Sequence, residues 1–110
     1  MPSSSITVSS DGSDTVVRLS GEIDVALRDE ASAALAQVAV ARGSVVLDLT
    51  DARLVGATGL AFVVQCRRAC TESGVPFEVR HVPPAVARVF AALDLAGELV
   101  RDTQDAEPVA

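Results

Sequence analysis

Few residues in this chain have side chains suited to chemistry, and their spacing limits what they can do. Cys66 and Cys70 stand one helical turn apart. Two thiols do not make a metal set, and no His or acid beside them completes one. A disulfide across four helical residues would be strained. Both cysteines fall on an apolar stripe, so they read as buried core thiols. His81 is the only histidine and sits between a predicted strand and Pro83. No Ser–His–Asp or Cys–His arrangement can be built around it, so it reads as a loop or surface residue. Asp48 and Asp51 flank the end of another predicted strand. Acid/base work is open to such a pair, but aspartates are common at strand ends and turns, and the structural role is preferred. A phosphate-cradling loop with a lysine is excluded, because the chain has no lysine.

The segment Gly56-Ala57-Thr58-Gly59 is more informative, because it joins an apolar strand to a helix. Thr58 is placed to cap that helix, its hydroxyl accepting from a free backbone N–H. Helix N-termini carry partial positive charge and unpaired donors, so an anion here would be stabilised. Threonine also caps helices that have no further role, and both readings stand at this point.

These residues must be held by elements, and the hydrophobic pattern supplies them. Ile6 and Val8 alternate with polar residues as a half-buried strand does. A turn cluster at Ser10–Asp14 leads to a second strand over Thr15–Ser20, which predicts an antiparallel hairpin. Gly21-Glu22-Ile23-Asp24 breaks the pattern. Leu27, Ala31, Ala34, Leu35 and Val38 make the stripe of a helix over about 26–41, with Gly43 just past its end. Ser44–Leu49 is a strand whose consecutive Val45, Val46 and Leu47 imply cover on both faces, and a turn is expected at Thr50–Arg53.

A second helix is expected from Gly59 to Thr71. Gly59, Phe62, Val63, Cys66, Ala69 and Cys70 share its core side. Leu60, Ala61 and Val64 point instead with the polar residues, which suits either a docking patch or packing on a neighbouring helix. A strand at Phe77–Arg80 follows the Gly74 stop. Pro83-Pro84 opens a third helix to about Leu93, and Leu95–Val100 suggests a short last strand. The alternation predicts one α/β domain, a mixed sheet of four to five strands with a leading hairpin and three or more helices. Residues 1–4 and 103–110 are expected to be loose.

Composition narrows the partners. The net charge is −6, and nine scattered arginines are outnumbered by acids. This argues against nucleic acid and against an anionic membrane surface. No apolar run approaches the roughly 20 residues of a membrane span. The first residues carry no basic segment and no apolar signal core, so a cytoplasmic location is expected. Only three aromatic residues are present, leaving a core of Ala, Val and Leu.

Four segments together resemble STAS domains of the anti-sigma factor antagonist type. Val17–Asp24 resembles the family's strand followed by Gly-Glu-Leu-Asp. Val45–Thr50 resembles its central strand. Leu54–Leu60 stands where the family has Asp-Ser-Ser/Thr-Gly-Leu. Val82–Phe90 with Leu93–Gly97 resembles its C-terminal part. The likeness covers about residues 5–101.

The resemblance implies a regulatory binder with no cofactor, no metal and no catalytic set. Such a protein binds an anti-sigma factor that is a serine kinase and so frees a sigma factor. The kinase phosphorylates the loop serine, and a phosphatase resets the switch. A phosphate adds about −1.5 to −2 charges at pH 7, which a docked partner need not tolerate. The partner surface implied here is Asp24, Gly56, Ala57, Thr58, Gly59, Leu60 and Val64, and a monomer or weak dimer is expected. The chain departs from the pattern at the loop: Gly56 replaces the family's Asp and Ala57 its usual acceptor serine, while Thr58 and Gly59 match. Phosphorylation is therefore lost or moved to Thr58. An alternative is suggested by Thr58-Gly59-Leu60-Ala61, which resembles STAS accessory subunits of an ABC-type lipid-transport ATPase.

Overall fold

The computed structural model describes residues 4–92. The short strand expected over Leu95–Val100 and the looseness expected of residues 103–110 fall outside these residues. β1 (Ser5–Asp11) and β2 (Asp14–Ile23) form the expected antiparallel hairpin, with Ile6 opposite Leu19 and a tight turn at Gly12-Ser13. A short 3-10 turn (Val25–Leu27) leads into α1 (Arg28–Ala39). β3 (Val45–Val55), α2 (Ala57–Ser73), β4 (Phe77–Arg80) and α3 (Pro84–Ala92) complete the described chain. The four strands lie in the order β1-β2-β3-β4, with β2, β3 and β4 parallel.

One apolar cluster joins the elements. Ile6, Val17, Leu19, Val45, Leu47 and Val79 come from alternate strand positions, as one face of a pleated sheet requires. Leu27, Ala31, Ala34 and Val38 supply the predicted stripe of α1, and Phe62, Val63, Cys66 and Cys70 that of α2. Val86 and Phe90 of α3 join the same cluster. Gly74 ends α2 in the left-handed conformation, as its place after the helix implied.

Several expectations are corrected. β2 does not stop at Ser20 but runs on to Ile23, and β3 passes straight through the turn expected at Thr50–Arg53. Two register shifts explain both. β3 carries an extra residue between Asp48 and Asp51 and another between Ala52 and Leu54. Each bulge resets the alternation, so buried positions move from every second residue (Val45, Leu47, Leu49) to every third (Ala52, Val55). A two-residue period therefore fades where the strand continues.

Val46 is buried but stands outside the core cluster. On its face Val46 meets half-buried Val16, but Arg18, Asp48, Glu78 and Arg80 beside them are polar, so this face has only a small apolar patch where a central strand was expected to be covered. α1 ends at Ala39, and Gly43 is not its cap. Gly43 instead lies under the hairpin turn, where any Cβ would collide with the Ser13 carbonyl. Ser4 is tied down rather than loose, its Oγ accepting from the Glu22 N–H at 2.9 Å.

Candidate functional site

The long central strands bring the expected site together at their C-terminal end. β2 and β3 finish side by side, with Ile23 opposite Val55. The Gly56 N–H donates to the Ile23 carbonyl at 2.9 Å, which locks the loop before α2 onto the end of β2. Asp24 follows Ile23 directly. A Cβ on Gly56 would lie 3.9 Å from that of Asp24, so these two positions touch across the strand pair. Asp24 is itself engaged, its Oδ1 accepting from the Ala26 N–H at 3.0 Å and capping the 3-10 turn.

α2 starts two residues earlier than expected, and this changes the role of Thr58. Gly56 is the N-cap, its carbonyl accepting from the Leu60 N–H at 2.9 Å, and no side chain caps the helix. Ala57 and Thr58 are the first two helical residues. Thr58 is therefore not a cap, and its half-buried hydroxyl makes no hydrogen bond to the described residues. Ala57 is exposed at the very start of the helix. Gly59 is fully enclosed: a Cβ there would lie 2.6 Å from Val55 Cγ1 and 2.9 Å from Ile23 Cγ2. Glycine thus lets α2 rest directly on the ends of both strands.

Between α1 and α2 opens a groove of about 380 Å³. Its buried floor is Ala31 and Phe62, and exposed Ala57 and Ala61 form one side. Arg28, Ser32, Thr58 and Gln65 stand around it. Of the predicted surface, Ala57 and Thr58 line this groove, while Asp24 and Gly56 adjoin it. Leu60 and Val64 lie on another flank of α2 and are half-buried, with Leu60 packed against the core. The sequence reading missed Arg28, Ser32 and the exposed Val25 (63 %) and Leu54 (52 %) at the same end of the sheet. Arg28 stands four residues after Asp24 at the start of a predicted helix, and that position was the available signal.

The other chemically suited residues do not meet here. Burial pushes the Cys70 thiol up to about 11 and the Cys66 thiol higher still. Asp48 is half-buried on the polar sheet face. Burial alone would raise its pKa, but the hydroxyl and N–H of Thr50, with His81 and Arg18 nearby, outweigh it and hold the carboxyl below its usual range. His81 is exposed with φ 58°. Among the described residues no three His, Cys, Asp or Glu converge as a metal set, and no helix is long and apolar enough to cross a membrane.

A family model described as Mlab, STAS domain, matches residues 6–101. The chain belongs to the STAS domain family. The solved structures it resembles include the anti-sigma factor antagonist SpoIIAA in its unphosphorylated form (15 % identity, 86 % of this chain and 85 % of that one, TM-score 0.73). An anti-sigma factor antagonist from Mycobacterium paratuberculosis is 25 % identical over 88 % of this chain and 83 % of its own, with a TM-score of 0.64. A sulfate transporter family protein from Wolinella succinogenes is 11 % identical over 86 % and 79 %, with a TM-score of 0.72. No curated protein matches the chain. The mixed α/β sheet and its helices are those of the SpoIIAA fold.

Proposed function

We propose that this protein is an anti-sigma factor antagonist: it binds an anti-sigma factor with serine kinase activity and so frees a sigma factor. It acts by binding rather than catalysis, in the cytoplasm, as a monomer or weak dimer. The supporting observation is the placement of Asp24, Gly56, Ala57 and Thr58 at one exposed strand end beside the start of α2. The likeness to the mycobacterial antagonist over most of both chains agrees with it.

The exposed helix-start position where the family carries its acceptor serine is Ala57, which has no hydroxyl. Regulation by phosphate is therefore lost or moved to Thr58, and a resetting phosphatase is needed only in the second case. Capture of partners from a host lysate with the tagged protein tests the reading. A kinase-like ATPase should be retained. Intact mass of the protein from growing cells should show no added phosphate if regulation is lost, and a phosphate mapped to Thr58 would establish the move.

A second reading is favoured by Thr58-Gly59-Leu60-Ala61 together with the name of the matching family model. In it the same surface docks on the ATPase of a lipid transporter as an accessory subunit. Retention of a transporter ATPase in the same capture would select it.

A further inference from the structure

The groove between α1 and α2 differs in charge from the rest of the molecule. The chain carries −6, yet no carboxylate lines this groove. Its polar side chains are Arg28, Ser32, Thr58 and Gln65, and each can donate a hydrogen bond. None of the four makes a side-chain hydrogen bond or ion pair with the described residues. Three arginines outside the groove are paired: Arg18 with Asp48 at 3.6 Å, Arg53 with Glu22 at 3.9 Å and Arg80 with Glu78 at 2.9 Å. Below the donors lies an apolar floor of Ala31 and Phe62.

We infer that this groove receives an acidic side chain of the protein partner, with an apolar neighbour seated on Phe62. The inference deepens the proposed function by naming what the partner presents. Arg28, Ser32 and Gln65 are exposed and Thr58 is half-buried, so a carboxylate can take the place of water on donors that no protein group occupies, and Arg28 matches it in a charge-assisted pair. Small residues at Ala57 and Ala61 leave room for the neighbouring apolar group. Asp24 lies at the adjoining strand end, so the surface alternates in sign, positive at Arg28 and negative at Asp24. Such alternation fixes the register of a bound partner.

A small probe tests the groove without the natural partner. The capped dipeptide acetyl-Leu-Glu-amide, titrated into the 15N-labelled full chain, should shift the amides of Arg28, Ser32, Thr58 and Gln65. Acetyl-Leu-Gln-amide should bind at least fivefold more weakly. Arg28→Gln should abolish the preference, and Arg68→Gln, at an exposed arginine outside the groove, should leave it. Equal response to the two peptides, shifts centred elsewhere or no shift at all would overturn the inference.

A partner obtained by capture gives the second readout. Arg28→Glu should weaken its binding at least tenfold, and exchange of one partner Asp or Glu for Arg should restore it. Arg68→Glu should change binding less than twofold. An unaffected Arg28→Glu complex would also overturn the inference. Failure to retain any ATPase would count against the proposed function, while the dipeptide preference would still decide the groove.

Discussion

Gly59 of α2 sits against Ile23 of β2 so closely that a Cβ would come within 2.9 Å of the Ile23 Cγ2 and 3.1 Å of its Cβ. This contact joins the helix that begins the site to the strand that ends in Asp24. It also predicts the cost of one methyl group. Gly59→Ala gains about 1 kcal/mol in helix propensity, but the new carbon also meets Val55 Cγ1 at 2.6 Å. Overpacking of a tight core costs about 1–3 kcal/mol. The second effect should prevail, because Ile23 and Val55 are buried and have little room to move. Urea denaturation should show a net loss of up to about 2 kcal/mol, and a variant more stable than the parent would show that α2 can lift from the strands.

The position of Thr58 makes an opposite forecast. A threonine acting as N-cap loses about 1 kcal/mol when changed to alanine. Here Gly56 is the cap and the Thr58 hydroxyl holds no backbone N–H. Thr58→Ala should therefore change stability by less than about 0.5 kcal/mol. A loss of a full cap would mean that α2 starts two residues later than described.

The misplacement of that helix start shows what a sequence can and cannot reveal. The stripes of α1 and α2 and the hairpin were legible because each keeps one period over many residues. The order of elements followed from them. The ends of β2 and β3 were hidden, since two bulges in β3 break the alternation that marks a strand. The start of α2 was hidden for a related reason: Gly56 caps with its backbone alone, while Thr58 offers a side-chain cap that is not used. The site residues were legible only as a resemblance to a family. The groove was not legible at all, because it depends on how Arg28 and Ser32 of one helix face Thr58 and Gln65 of another.

The cysteines predict a null chemistry that is easily measured. Both thiols are free and buried, and burial raises Cys70 to about 11 and Cys66 beyond it. At pH 8 both remain protonated in the fold, and the thiolate is the reactive form. Iodoacetamide should label neither in native protein over the time that labels both in urea. Rapid native labelling would place at least one sulfur at the surface.

Asp48 contributes to the acid limb of stability. Its folded pKa lies below the unfolded value near 3.9. A depressed carboxylate contributes stability that is present above the unfolded pKa and lost as pH falls through the folded one. The group is only half-buried and Arg18 is exposed, so the effect is small. Asp48→Asn should lower stability at neutral pH and flatten the decline below about pH 4. An unchanged acid limb would mean that Thr50 and Arg18 do not hold the charge.

Ala57 allows folding and binding to be separated at one residue. It is exposed, it opens α2, and it lines the groove beside Arg28. An acidic group in a first helical turn stabilises by about 0.3–1 kcal/mol, because it faces the positive end of the helix dipole. Ala57→Asp should therefore raise Tm by a few degrees. In the bound state the same charge stands where the partner's carboxylate would enter, and like charges there oppose docking. Ala57→Asn has similar size without the charge and serves as the control. Binding of the captured partner should fall at least tenfold in Ala57→Asp and less than threefold in Ala57→Asn. Equal losses in the two would assign the effect to bulk, and full binding by both would move the docking surface away from the start of α2.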